Sequence, residues 1–223
     1  MDWNTRKWFK KLLMQNFKKT FYAFAVLCFI SPVSSKGLNI NVTLDSEIYL
    51  ESQKIFIEKL GEIKTKSDIK DLLEEQDWID EYFLKFKPFS GSAKLNIKTR
   101  TPIFILNDEF FVDTNLKKFK YDKSLLNLIL VNGPIEDLRE PLNIINFFKV
   151  NDFDNINLKK ITFSYISGWQ IQTNTHIIMI GNKVSNNKFN TLKDTLNYLY
   201  ENRKIPSMID LRYKDGVALD YGK

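Results

Sequence analysis

The chain has 223 residues, 43% of them hydrophobic, which is enough for one large domain or two small ones, and a charged fraction of 27% argues against wholesale disorder. The net charge of +6 is concentrated at the start, where residues 1–20 carry Arg6, Lys7, Lys10, Lys11, Lys18 and Lys19 against the single acid Asp2. The rest of the chain is close to neutral, which excludes a broad phosphate-binding surface and argues against nucleic acid as a partner. One cysteine, Cys28, and one histidine, His176, exclude an internal disulfide and a Cys/His zinc site.

Residues 1–19 form a basic tail with Trp3, Trp8, Phe9, Leu12, Leu13 and Phe17 set among the lysines. The uncharged run over residues 20–35 is shorter than the ~20 residues of a comfortable spanning helix. Two readings stand. One is a signal peptide cleaved beside the small residues Val33 and Ser35. The other is a retained transmembrane anchor, extended back to near Leu12, with Lys18 and Lys19 reaching the cytoplasmic headgroups and residues 12–35 in contact with lipid. Both place residues 36–223 outside the cytoplasm, because the basic tail holds the N-terminus inside. Cys28 lies within the apolar run, where a membrane-buried thiol is the natural reading.

Leu38 to Leu44 alternates as a strand. Glu47–Leu60 and Thr65–Gln76 read as helices, the second opened by a Thr65/Asp68 capping pair. Strands are predicted around Glu81–Lys87 and Ala93–Thr99, with the turn at Pro88 to Ser92. Helical spacing runs through Ile135, Leu138, Leu142, Ile145 and Phe148, and Pro141 should kink or split that helix. Ile156–Tyr165 reads as a strand. Lys188–Arg203 is the clearest helix, with Phe189, Leu192, Leu196 and Leu199 on one face. Two last runs, Met208–Tyr213 and Val217–Tyr221, are joined through Lys214-Asp215-Gly216, a hairpin or bulge signal in which Gly216 accepts the bend. Alternation puts Ile209, Leu211 and Tyr213 on one face, and Val217, Leu219 and Tyr221 on one face. The final strand is either a sheet edge open to a partner or an ordinary strand tucked into its own sheet.

Several segments, taken in order, resemble the FtsQ/DivIB family of bitopic bacterial cell-division proteins. Trp78-Ile79 resembles the family's "pWI/pWV" step. Leu95 to Ile103 resembles "LxIxvxErxPia", and Phe111-Val112-Asp113 the following "lvD". Leu128 to Pro134 is similar to "lPlvtGp". Gly168 to Thr173 with Thr175 to Gly181 is similar to the hairpin "gWxlxlxnGxxixLG", with Asn174, a residue that tolerates a left-handed backbone, in place of its turn glycine. Ile209-Asp210-Leu211-Arg212-Tyr213 with Gly216 and Ala218 resembles the family's C-terminus. Thr99 stands where the family carries an acid before Arg100, which argues against an ionic role there.

The resemblance implies an α+β fold: a POTRA-like β-α-α-β-β domain over residues 36–114, then a C-terminal mixed or antiparallel sheet domain with helices on one side, over 115–223. It favours the retained anchor and implies a divisome scaffold in the bacterial inner membrane at the division septum. Its implied partners are FtsB and FtsL at the C-terminal strand, and other septal proteins at the POTRA domain. The implied docking residues are Arg212, Tyr213, Asp215, Gly216, Val217, Leu219 and Tyr221. Arg212 would pair with an acid on the partner, and Tyr221 stands where the family ends its strand with Trp. Tyr213 is either the aromatic anchor of that contact or a core residue beside Ile209 and Leu211.

No catalytic constellation is present. His176 sits in an apolar stretch, and Asp108-Glu109 and Glu74-Glu75 read as solvated charge. There is no P-loop or dinucleotide fingerprint. The expectation is therefore no enzyme, no cofactor, no metal and no small-molecule substrate. The competing class is a secreted or periplasmic α+β protein, chaperone-like or enzymatic, with residues 1–35 removed.

Overall fold

The computed structural model describes residues 38–222 apart from 46–49, 89, 126, 152, 154, 155 and 215. The basic tail, the expected anchor over 20–35 and Asp215 lie outside the described residues. Among those described, no helix is long and apolar enough to cross a membrane. The fold is α+β, with helices packed on mixed sheets.

The first unit runs β1 (Asn39–Leu44), α1 (Glu51–Glu62), α2 (Lys66–Glu74), β2 (Ile79–Lys87) and β3 (Ser92–Thr99). Its strands form one sheet in the order β1-β3-β2, with β1 parallel and β2 antiparallel to β3. A parallel pair needs a crossover, and the two helices supply it. They cover one face of the sheet: Phe56, Leu60, Ile69, Leu72 and Leu73 pack against Leu95 and Ile97. The cap read in the sequence is formed, since the Asp68 N–H donates to Thr65 Oγ1 at 3.2 Å. Trp78 closes this core, its ring edge-on to Phe56 at 5.5 Å and its Nε1 donating to Gln76 Oε1.

The second sheet has nine strands: β4 (Pro102–Leu106), β5 (Phe110–Asp113), β6 (Lys118–Lys120), β7 (Ile129–Asn132), β8 (Leu158–Ser164), β9 (Gly168–Thr173), β10 (Ile177–Gly181), β11 (Met208–Asp210) and β12 (Ala218–Asp220). Their spatial order is β12-β11-β10-β9-β8-β7-β4-β5-β6. Helix α3 (Arg139–Asn151) links parallel β7 and β8, and α4 (Asn186–Glu201) links parallel β10 and β11. Both crossovers return to the same face, where Phe147 of α3 stacks on Phe189 of α4 at 4.7 Å. Ile144, Ile145 and Phe148 join Leu192, Leu196 and Leu199 there, over Phe104, Val131, Ile161, Ile171 and Ile209.

Residues 102–113, read from sequence with the first domain, are strands of this larger sheet, β4 pairing in parallel with β7. Period-two alternation makes them serve two cores. Phe104, Leu106 and Val112 face the helices α3 and α4, while Ile105, Phe111 and Phe119 turn the other way into the core of the first unit.

Two local expectations are corrected. Helix α3 begins at Arg139, so Pro141 lies in its first turn. Its missing N–H falls among the donors a helix start leaves unpaired, and no kink is required. Asn174 does not adopt a positive φ. The turn before β10 is instead held by Thr173, whose Oγ1 accepts from the N–H groups of Thr175 and His176. Gly168 is required where it stands: φ is +72°, and a Cβ there would lie 2.1 Å from the Gly181 carbonyl carbon.

Candidate functional site

The larger sheet has two edge strands, and the chain treats them differently. At β6, Phe119 is buried and the Lys120 N–H donates to Asp77 Oδ2 at 2.7 Å. Beside it, Asp122 accepts from the N–H and the hydroxyl of Ser52 at the start of α1, both at 2.9 Å. Arg100 ties the two sheets together: Nη1 lies 3.0 Å from Asp113 Oδ2 and 3.2 Å from Asp80 Oδ1, and Nε donates to the Asp77 carbonyl. Arg100 thus has the ionic role that the sequence argued against. The acid absent at Thr99 is replaced by Asp80 and Asp113, brought in by the fold. Thr99 has its own partner, its N–H donating to Asp45 Oδ1 at 2.8 Å.

At the other end β12 pairs antiparallel with β11 on one side only, Leu219 opposite Ile209 and Ala218 opposite Asp210. It is terminal in the strand order, so its outer backbone groups meet no strand among the described residues. Val217 and Leu219 are half-buried against the larger core and hold the strand in place. Tyr213 and Tyr221, in contrast, are 63% and 53% exposed.

Tyr213 does not share the buried face of Ile209 and Leu211. The strand ends at Asp210, and the backbone turns because Arg212 holds Asp210 twice over. The Arg212 N–H donates to Oδ1 at 3.0 Å, and its guanidinium spans the carboxylate, with Nε 2.9 Å from Oδ1 and Nη2 2.6 Å from Oδ2. That fork, expected for an acid on a partner, is closed on a residue of this chain. The guanidinium holds the Asp210 carboxyl below its usual range. Arg212 is therefore a brace that presents Tyr213. Gly216 has an ordinary φ and open space where a Cβ would sit, so the connection does not require glycine there.

Sequence reading missed Tyr198, on α4, and Lys204, on the connection from α4 to β11. The Lys204 ammonium donates to the Tyr198 hydroxyl at 3.1 Å and lies 5.2 Å from its ring centre. Tyr198, and more weakly Tyr221, hold the Lys204 pKa above its usual value. The available signal was Tyr198-x-Tyr200, both off the Leu192/Leu196/Leu199 stripe of α4.

Lys204 also borders a cleft of about 290 Å³ walled by Ile156, Leu196, Leu199 and Ile205, with His176 and Arg203 on its lining. His176 is buried, and its Nδ1 lies 2.6 Å from the Pro206 carbonyl, which can only accept, so Nδ1 carries the proton. The histidine thus ties the start of β10 to the entry of β11. The arrangement offers a partner an open strand edge, three exposed tyrosines and an apolar cleft with a cationic rim. Among its described residues there is no paired nucleophile and base.

No protein-family model matches the chain, and no curated protein matches it.

Proposed function

We propose that the protein is a non-enzymatic, membrane-anchored scaffold of FtsQ/DivIB type that docks a partner strand on β12. The observation that carries this reading is the edge strand with no neighbour on its outer side among the described residues, flanked by the exposed rings of Tyr213 and Tyr221. An added strand takes up backbone groups otherwise left to water, and flanking aromatics supply the side-chain contacts a ladder lacks. The β-α-α-β-β order of the first unit, in the sheet order β1-β3-β2, supports its reading as a POTRA-like module. In this account residues 12–35 anchor the chain in the bacterial inner membrane, with the N-terminus cytoplasmic and the body periplasmic at the septum. FtsB occupies β12 and brings FtsL, while the POTRA-like module meets other septal proteins.

Backbone hydrogen exchange of the full chain, with and without the extracytoplasmic part of FtsB from the same organism, tests the strand. Slower exchange within residues 217–221 is expected. Unchanged exchange there at saturating FtsB contradicts the reading. Intact mass of the protein recovered from membranes separates the anchored scaffold from the exported alternative, which lacks residues 1–35.

A further inference from the structure

Among the described residues, the three-stranded sheet has helices on one face only, and its other face is open. Pairing register puts Lys85 directly opposite Lys94 on that open face, with Lys87 opposite Ser92 next along the strand. All three lysines are exposed, and none has an acidic partner among the described residues. Like charges directly opposite across a strand pair cost stability, so the arrangement calls for an anion from outside. The acids of this face are gathered at its far end, where Asp80 and Glu81 are engaged by Lys98. Phe83, two residues before Lys85, stands on the same face and is 61% exposed.

The position of this lysine end in the chain identifies the anion. Asn39, the first residue of β1, pairs with Ser92 at that end. Only three residues, Lys36 to Leu38, separate it from Ser35, the last of the uncharged run. Fully extended, the four steps from Ser35 to Asn39 span about 14 Å. If residues 20–35 lie in a bilayer, the lysine end of the sheet is held within reach of the headgroups.

We propose that the open face of the sheet docks on anionic phospholipid through Lys85, Lys87 and Lys94, with Phe83 entering the interfacial layer. This rests on the anchored reading proposed above. Docking fixes the orientation of the first unit against the membrane and therefore the height at which β12 is presented. Each lysine near an anionic surface contributes about a fivefold change in the docked-to-undocked ratio, and salt screens it.

The test uses the full chain in nanodiscs. Cys28→Ser with Asn41→Cys places one fluorophore on the open face, opposite Lys94. A quencher on the lipid headgroup reads its proximity, in discs with phosphatidylglycerol and in discs of phosphatidylcholine alone. Strong quenching is expected in the anionic discs. It should fall at least severalfold in phosphatidylcholine, at about 0.5 M salt, and in Lys85→Glu/Lys87→Glu/Lys94→Glu. Equal quenching in the parent and the triple variant, with both chains retained in the discs, overturns the docking and leaves the anchor standing. A dimer that the triple variant abolishes assigns the face to a second copy of the chain and overturns it as well. A chain extracted by alkaline carbonate overturns the anchored reading, and this inference falls with it.

Discussion

At one end of the nine-stranded sheet, β6 buries Phe119 and its backbone is met by Asp77, while Arg100 and Asp122 tie the neighbouring turns to the first unit. At the other end, β12 has no strand on its outer side among the described residues and sets Tyr213 and Tyr221 in solvent. An open strand edge invites unwanted pairing, and chains usually cover or charge it. This chain covers one edge with its own first unit and leaves the other open beside the Arg212–Asp210 fork. The two edges thus carry different loads: the covered edge carries stability, and the open edge, on the function proposed above, carries recognition. Substitutions at the first should therefore change folding, and substitutions at the second should change binding alone.

The largest expected effect is at the covered edge. Asp113 is buried and accepts from Arg100 and from the N–H groups of Asn115 and Lys117. Asp113→Ala leaves the Asn115 and Lys117 N–H groups without this acceptor and removes one of the two carboxylates that pair with Arg100, and we expect a loss of about 3 kcal/mol or more in urea unfolding. A loss below about 1 kcal/mol would mean that apolar packing alone seals this end.

A smaller, pH-dependent effect is expected at Asp122. Burial opposes its charged form, but hydrogen bonds from Ser124 and Ser52 outweigh that and hold its carboxyl below the usual range. A group whose folded pKa is lowered stabilises the fold above its unfolded pKa, here ~3.9, and loses that contribution as pH falls through the folded value. Asp122→Asn should cost about 1 kcal/mol at neutral pH, given its partial exposure. The gap to the parent should close as pH drops below about 4. A gap that stays constant into acid contradicts the ionic account.

At the open edge the expected effect on folding is the smallest. Gly216→Ala should change stability by no more than about 0.5 kcal/mol, since the position is uncrowded and its φ is ordinary. A larger loss would show that the β11–β12 connection is strained after all.

Much of the first unit was legible because its signals are local. Thr65 and Asp68 mark a helix start within four residues, and alternation marks β1 and β3. Pro141 misled because Ile135 and Leu138 keep helical spacing before the helix begins, and periodicity does not locate a first turn. Tyr213 misled for a related reason. Alternation continues past Asp210 in the sequence, whereas the Arg212–Asp210 contact turns the backbone there. The partners of Arg100 were not legible at all, since Asp80 and Asp113 reach it only through the packing of two sheets. The boundary between units was obscured because β4 and β5 alternate residues between two cores. Of the open edge, the strand with Tyr213 and Tyr221 was readable, whereas Tyr198 on α4 and Lys204 just after it have no pattern linking them to the C-terminus.

The most direct test of the division between the two edges is a titration of the full chain, parent and Tyr213→Ala, against the extracytoplasmic part of its own FtsB, with circular dichroism and urea unfolding on both. Tyr213 is exposed and braced from behind, so the variant should keep its fold and its stability. Binding should weaken by about 30-fold, the effect of removing an aromatic anchor worth ~2 kcal/mol. Unchanged affinity in a folded variant would contradict the account, and so would a variant that loses its fold.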